Sequence, residues 1–186
     1  MSRFTLHNTP LAGLVVVQRQ IIGDHRGFLS RLFCADELSA AGWRKPVAQI
    51  NHTLTEKAGT IRGMHFQHPP HQEMKLVTCI RGAVWDVAVD LRAGSPTFLQ
   101  WHGQELSAAN QQALLIPEGF AHGFQSLVDG CELVYLHSAA YVPTADAGLH
   151  TQDTRLGITW PLPVSDMSDR DGRHPRLDDS FKGLTL

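Results

Sequence analysis

The sequence predicts an all-β protein, an antiparallel sandwich or barrel of the jelly-roll type with a few short helices. Three observations indicate this class. Short apolar or β-branched stretches recur along the chain, Gly and Pro residues separate them at short intervals, and helical periodicity is almost absent. A chain of 186 residues can bury a core of its own. We therefore expect one domain over residues 1–186, with residues 161–186 as a C-terminal extension on its surface.

The first quarter of the chain predicts two strands and one helix. The β-branched residues 13–18 predict a strand, and the glycines of residues 23–27 predict a turn before a second strand over 28–33. Residues 36–41 favour a short helix, which Gly42 is placed to end.

From residue 47 onward, every predicted element is a strand. Residues 47–53 alternate in polarity, which places Gln49 and Asn51 on the same face. Turn residues separate the later strands, which we expect over residues 61–67, 74–80, 83–90, 97–101, 113–116, 120–127 and 131–137. This spacing suits a cupin-type double-stranded β-helix, whose mouth can hold a ligand between inward-facing side chains.

Composition argues against several classes of function. The net charge of −2 comes without a basic block or stripe, which argues against nucleic-acid and membrane-surface partners. The three cysteines have unrelated spacings and predict neither a disulfide framework nor a zinc knuckle. Reduced thiols fit a cytoplasmic protein. We also expect no signal peptide and no membrane span, because no suitable apolar stretch is present.

The densest group of reactive side chains lies in residues 62–77. Arg62, His65, Glu73 and Lys75 lie there between two predicted strands. A guanidinium, an imidazole and an ammonium in one segment suit a site that holds an anion and moves protons. Solvated charge on a hairpin is the alternative.

A metal site is not expected, although one motif has the spacing of a metal-binding cupin motif. Residues 117–122 fit the P-x-G-x-x-H spacing of the second cupin motif. The first cupin motif is poorly matched, because His65 and His68 are not spaced as H-x-H. Metal ligands must converge at about 2 Å, which this register does not favour. We predict no metal and no cofactor, and keep a metal-dependent cupin enzyme as an alternative.

Nine short motifs then occur in order along the chain. They are DHRGF at 24–28, QIN at 49–51, RGMHFQ at 62–67, KLV at 75–77, DVAVDLRAGSPTF at 86–98, IPEGFAHGF at 116–124, Y-x(5)-Y at 135–141, GITWP at 157–161 and SDRD at 168–171. Together they resemble the dTDP-4-dehydrorhamnose 3,5-epimerase family over nearly the whole chain. The resemblance implies a cofactor-free, cupin-type homodimer. It implies an enzyme that inverts stereocentres beside the ketone of a 4-keto-6-deoxy nucleotide sugar.

The resemblance also implies four catalytic roles. His65 is the expected general base, and Asp171 orients its ring. Lys75 is expected to stabilise the enolate oxygen, and Tyr135 to return a proton from the opposite face. Inversion needs this second group, because one base removes and returns a proton on one face only. Without the motifs, Tyr135 would be interpreted as core and Asp171 as a solvated residue of an acidic tail.

The substrate contacts implied by the resemblance are more numerous. Arginines suit the diphosphate because their forked donors match its oxygens. The expected substrate-binding residues are Arg26, Phe28, Gln49, Asn51, Arg62, His122, Tyr141 and Arg170, with His122 in a supporting position.

Two features of the sequence leave questions open. Strict alternation places Arg62 and His65 on opposite faces of one strand, so both reach the site only through a twist or bulge. Arg31 stands where family members usually carry glutamate, which leaves open the nucleotide base (dTDP or CDP) and the sugar. A single-centre epimerase and a non-catalytic sugar-nucleotide-binding cupin remain alternatives.

Overall fold

The computed structural model describes residues 2–186, which form two facing β-sheets and a separate two-stranded hairpin. The strands are β1 (Phe4–Asn8), β2 (Val15–Arg19), β3 (Ile21–Asp24), β4 (Gly27–Ser30), β5 (Gln49–Thr55), β6 (Thr60–Gln67), β7 (Lys75–Arg81), β8 (Ala83–Asp90), β9 (Trp101–Ser107), β10 (Gln112–Ile116), β11 (Phe120–Ser126), β12 (Cys131–His137), β13 (Asp146–Gly148) and β14 (Asp166–Met167). The helices are α1 (Ala35–Leu38), a 3-10 turn (Ser39–Ala41) and α2 (Asp169–Gly172). None of the helices within residues 2–186 is long and apolar enough to span a membrane.

The chain crosses repeatedly between the two sheets. The first sheet has the order β1-β2-β10-β7-β12-β5, and the second has the order β13-β6-β11-β8-β9, with β14 added parallel to β6. Successive strands β7 and β8, and then β10, β11 and β12, lie in alternate sheets. This crossing pattern is typical of a jelly roll. The prediction of an all-β, cupin-type jelly roll is confirmed.

Apolar side chains fill three layers. The central layer lies between the sheets and includes Val77, Ala88 and Phe124. A second cluster covers the outer face of the first sheet, where Leu38 and Trp43 of the α1 region are fully buried. The third cluster covers the second sheet with residues from the C-terminal part of the chain. Both sheets therefore have an apolar cluster on each face, but Ile50 and Leu54 of the edge strand β5 stay exposed.

The prediction of a strand over residues 97–101 is wrong. The Asp90 carboxylate, which is fully buried, accepts hydrogen bonds from Ser95 Oγ at 2.5 Å and Thr97 Oγ1 at 2.7 Å, and these bonds fold the segment into turns. The strand β9 starts only at Trp101. Its Gly103 lies flat against the indole of Trp85, where a Cβ would come within 2.3 Å of a ring atom.

The C-terminal extension is part of the packed structure. It adds β14 alongside β6, and Leu177 and Leu184 are buried in the outer cluster of the second sheet. The backbone of Leu184 also donates to Leu91 O at 2.7 Å. The short helix α2 begins after Ser168, whose side chain accepts from the backbone N–H of Asp171 at 3.1 Å. This cap places Asp171 against β6.

Candidate active site

A cavity of about 310 Å³ opens between the two sheets. Its lining brings together eight of the twelve predicted site residues with four others: Asn51, Thr53, Arg62, His65, Lys75, His122, Phe124, Tyr135, His137, Ser168, Arg170 and Asp171. A smaller cavity of about 160 Å³ shares several of these residues and adds Gln49 and Tyr141. Ten of the twelve predicted residues therefore line one connected region.

His65 and Asp171 form a hydrogen-bonded pair on the wall made by the second sheet. His65 Nε2 lies 2.8 Å from Asp171 Oδ1, and Asp171 Oδ2 accepts from the backbone N–H of Gly63 at 3.1 Å. Burial of Asp171 opposes ionisation, but the bonds from His65 and Gly63 outweigh it and hold the pKa of the carboxyl below its usual value. Because a carboxylate only accepts, Nε2 of His65 carries a proton, so in the neutral ring the lone pair is on Nδ1.

A β-bulge in β6 aims two predicted residues at the same cavity. His65 pairs with His122 of β11, and Arg62 pairs with Phe124, so three steps along β6 face two along β11. The extra residue reverses the alternation between Arg62 and His65. The twist or bulge that the sequence required is thus a bulge. Gly63 and Gly123 meet there, and a Cβ on Gly63 would lie 2.6 Å from Gly123 Cα.

Lys75 is a buried cation at the junction of the two cavities. Its Nζ donates to the backbone O of His65 at 3.3 Å and lies 3.2 Å from Glu73 Oε1. The carboxylate of Glu73 also accepts from Gln67 Nε2 at 2.8 Å. These contacts hold an ammonium group against the backbone of His65, in the lining of the same cavity.

Tyr135 lies on the opposite wall, in β12 of the first sheet. Its hydroxyl lies 3.3 Å from Thr53 Oγ1 on the neighbouring strand. Burial is the largest cause that raises the pKa of Tyr135 above its usual range. The phenol is therefore neutral at physiological pH and can donate its proton.

His122 forms a second imidazole–carboxylate pair deep in the cavity. Its Nε2 lies 2.8 Å from Asp86 Oδ1, and both side chains are almost completely buried. Its ring also stands edge-on to that of Tyr135, at 6.0 Å between centroids. This position behind Tyr135 suits the supporting role expected of His122.

The polar residues at the cavity mouth hold one another in place. Gln49 Nε2 donates to Asn51 Oδ1 at 3.1 Å, so the two amides share a face as the alternation predicted. The backbone N–H of Tyr141 donates to Gln49 Oε1 at 3.0 Å. Arg170 pairs with Asp146, whose Oδ2 also accepts from the Tyr141 hydroxyl at 3.1 Å.

Arg26 and Phe28 lie outside the lining of both cavities. They belong to the β3–β4 hairpin, which pairs with neither sheet. The Arg26 side chain is 78% exposed and pairs with Asp24, and Phe28 is 65% exposed. Within one chain these two residues therefore lie apart from the other ten, and their role in substrate binding stays a prediction. Arg31, just beyond the hairpin, pairs with Glu37.

Four cavity residues were missed by sequence reasoning. Thr53, Phe124, His137 and Ser168 line the larger cavity but matched no expected functional position. Alternation from Tyr135 along β12 was the available signal for His137, since both side chains point inward. Burial, and then the charges of Lys75 and His122, lower the pKa of His137 to about 4.

Comparison with known proteins agrees with this geometry. A sequence model described as dTDP-4-dehydrorhamnose 3,5-epimerase matches residues 8–179. The chain belongs to the dTDP-4-dehydrorhamnose 3,5-epimerase family. A relative of that name from Shigella flexneri is 40% identical over 164 residues, which are 88% of this chain and 90% of the relative. A family member named dTDP-4-dehydrorhamnose 3-epimerase, from Streptomyces niveus, is 40% identical over 149 residues, covering 80% of this chain and 72% of the relative.

Solved structures of the family have the same fold. The Bacillus anthracis dTDP-4-dehydrorhamnose 3,5-epimerase, solved with TDP and PPi bound, superposes with a TM-score of 0.90 at 38% identity. It covers 94% of this chain and 99% of its own. The Legionella pneumophila enzyme, solved in complex with dTDP-4-keto-L-rhamnose, gives a TM-score of 0.91 at 35% identity and covers 98% of both chains.

Proposed function

We propose that this protein is an epimerase of dTDP-linked 4-keto-6-deoxy sugars. It inverts carbons 3 and 5, which flank the ketone, by removing and returning α-protons, in the manner of dTDP-4-dehydro-6-deoxy-D-glucose conversion to dTDP-4-dehydro-L-rhamnose. One observation carries this proposal. His65 and Tyr135 stand on facing sheets and line the same cavity. Inversion needs this placement, because a proton leaves from one face of the sugar ring and returns to the other.

His65 is the base of the proposed reaction. Its Nδ1 keeps a lone pair because Nε2 is committed to Asp171. When Nδ1 takes the α-proton, the ring becomes an imidazolium, and the adjacent carboxylate stabilises that charge. Asp171 also fixes the plane of the ring through its second bond to Gly63.

Lys75 stabilises the negative charge that forms on the former carbonyl oxygen. A proton beside a ketone is acidic only when the enolate oxygen is stabilised. The buried ammonium supplies that stabilisation next to His65. It is held ready by Glu73, so little reorganisation is needed when the enolate forms.

Tyr135 returns a proton from the opposite wall. A neutral phenol is required, and the raised pKa of Tyr135 favours it. The Tyr135 hydroxyl is within hydrogen-bond distance of Thr53. Its ring packs against the edge of the His122 ring, which Asp86 holds in place.

The diphosphate and nucleotide occupy the polar mouth of the cavity. Arg62 and Arg170 offer guanidinium groups to the phosphate oxygens, and the amides of Gln49 and Asn51 offer further contacts. Tyr141 lies at the same mouth with an exposed ring that can pack on the sugar or the base. The ligands bound in two solved relatives, TDP and dTDP-4-keto-L-rhamnose, favour dTDP over CDP.

The active unit is a homodimer in which the β3–β4 hairpin completes the site of the other subunit. The hairpin exposes Ile21, Ile22, Phe28 and Leu29, an apolar surface unusual for a hairpin in water. A second copy that covers this surface can receive Arg26 and Phe28 at the mouth of its own cavity. This arrangement accounts for two predicted substrate contacts that lie outside the cavities of their own chain.

The remaining expectations form part of the same proposal. The chain acts as one epimerase domain over residues 1–186, whose extension from residue 161 supplies Asp171 and Arg170. We place it in the cytoplasm, where its three free cysteines remain reduced.

A second candidate is a single-centre epimerase. The Streptomyces niveus relative is named for epimerisation at carbon 3 alone, and it has the same 40% identity to this chain as the Shigella flexneri 3,5-epimerase, over a shorter match. The two candidates share the catalytic residues and differ in which α-protons exchange.

Solvent deuterium incorporation tests the proposal and separates the candidates. The protein is incubated with dTDP-4-keto-6-deoxyglucose in heavy water, and carbons 3 and 5 are followed by mass spectrometry and NMR. Label at both carbons, lost in His65→Ala, supports the 3,5-epimerase, and label at one carbon supports the single-centre enzyme. No label with either the dTDP or the CDP sugar would overturn the proposal.

A further inference from the structure

His174 lies beside the proposed catalytic pair without a hydrogen bond to it. Its Nε2 is buried, has no partner among the described residues, and lies 3.7 Å from Asp171 Oδ1. The ring stands edge-on to His65, with 5.6 Å between centroids. A buried nitrogen without a partner requires an explanation, and a bound ion is one that chemistry allows.

The position of His174 is fixed by its surroundings. Gly148 of β13 lies directly against the ring, where a Cβ would come within 2.4 Å of Nε2. The backbone of His174 follows α2, and its N–H donates to Asp171 O at 3.3 Å. Nε2 is therefore held close to the carboxylate of Asp171.

Three ligand atoms converge at this point. His65 Nε2, Asp171 Oδ1 and His174 Nε2 all lie within 4.8 Å of one another. Zinc binds nitrogen and oxygen ligands at about 2.0–2.2 Å, so tetrahedral ligands stand about 3.3 Å apart. The distances from Asp171 Oδ1, 2.8 Å to His65 and 3.7 Å to His174, lie on either side of that value. A shift of the His174 ring toward Asp171 would bring the three atoms around one ion.

We propose that His65, Asp171 and His174 form an inhibitory site for a divalent transition-metal ion of the zinc class. Two imidazoles and one carboxylate are a donor set that zinc accepts, and a water molecule commonly completes such a site as the fourth ligand. Asp171 is already oriented by Gly63 through its other oxygen. The nearby cation Arg170 is paired with Asp146, which weakens its repulsion of a bound ion.

Metal binding and the proposed catalysis exclude each other. A metal on Nε2 of His65 takes the place of the proton that Asp171 now accepts. The neutral ring then carries its proton on Nδ1, which has no lone pair left for an α-proton of the substrate. Binding therefore stops proton abstraction, and removal of the metal restores it. This inhibition rests on the proposed function, whereas metal binding itself does not.

The test measures binding and inhibition separately. Purified protein is titrated with Co²⁺, followed by its visible absorption, and with Zn²⁺ by calorimetry. Epimerase activity is measured with Zn²⁺ and again after EDTA. The variant His174→Ala removes one ligand, and His174→Asn is a second variant of similar size. His102→Ala is the matched control, since His102 Nε2 is also buried without a partner but lies on β9.

The wild type and His102→Ala should bind one ion per chain and lose activity until EDTA is added. Both His174 variants should keep their activity in zinc and bind metal at least about tenfold more weakly. The proposal is overturned if the wild type binds no metal, if binding leaves activity intact, or if the His174 variants behave like wild type. Metal binding that depends on His174 in a protein with no epimerase activity would support the site and contradict the proposed function instead.

Discussion

His65 and Asp171 are 106 positions apart in the sequence, yet Nε2 of one lies 2.8 Å from Oδ1 of the other. The contact depends on the bulge in β6, which turns His65 inward, and on the Ser168 cap, which starts α2 beside that strand. The carboxylate decides which ring nitrogen is available for chemistry. Strand, bulge and C-terminal extension thus meet in one functional relationship.

The first prediction concerns Asp171→Asn. The amide oxygen can satisfy Gly63, but the amide nitrogen then faces His65 Nε2 and favours the tautomer with its proton on Nδ1. We expect kcat to fall by about 10²- to 10⁴-fold with little change in KM. Asp169→Asn, an exposed change in the same helix, is the control. Steady-state kinetics check this, and an unchanged kcat in Asp171→Asn would remove Asp171 from the account.

The second prediction concerns the ionisation of Tyr135. The chain has two tyrosines, Tyr135 and the half-exposed Tyr141. In Tyr141→Phe, absorbance at 295 nm should stay flat through about pH 10, the ordinary tyrosine pKa, because burial keeps Tyr135 protonated. A rise near pH 10 in Tyr141→Phe would contradict the buried, neutral phenol.

The third prediction concerns the bulge. Gly63 has φ +139° and touches Gly123, so Gly63→Ala meets both backbone strain and a clash. We expect roughly 1–3 kcal/mol of lost stability, together with lower kcat because His65 is displaced. Gly130→Ala is the control, since Gly130 has φ +68° but nothing within 4 Å of a Cβ. Denaturant unfolding should show the smaller loss in Gly130→Ala, and equal losses would argue against the close contact.

The fourth prediction concerns the exchanged hairpin. His65→Ala and Arg26→Ala subunits are each expected to be impaired, and they are mixed under conditions that exchange subunits. In a mixed dimer, one site combines an intact His65 with an intact Arg26 from the other chain. Random mixing should then restore about a quarter of wild-type activity. If Arg26 serves its own chain, no site in the mixture is complete and activity stays at the level of the separate variants.

The sequence predicted strands with regular alternation, such as β8 and β12, with their correct bounds. It missed most of β9, because Gly103 and its polar neighbours lack the apolar alternation that predicts a strand. Gly103 is required there because it packs against Trp85. The motifs supplied Asp171 and Arg26 as site residues, but not the contacts that place them. The local sequence around Asp171 is typical of a solvated tail. No pattern in the sequence predicts that the β3–β4 hairpin pairs with neither sheet.

His137 and His174 show a second limit. Each lies beside a catalytic candidate because of packing between distant segments, as when Gly148 makes room for His174. Neither has a sequence signal stronger than its spacing from a neighbouring motif residue. Structure is needed to find such side chains, because their chemistry comes from what surrounds them.

The central claim is that His65 and Tyr135 act on opposite faces of the sugar. The most direct test is proton exchange in Tyr135→Phe, with dTDP-4-keto-6-deoxyglucose in heavy water. The account predicts that His65 still exchanges α-protons, so deuterium enters the recovered substrate while inverted product falls at least about 10²-fold. Inverted product formed at the wild-type rate would contradict the claim, because the second proton would then come from a group other than Tyr135.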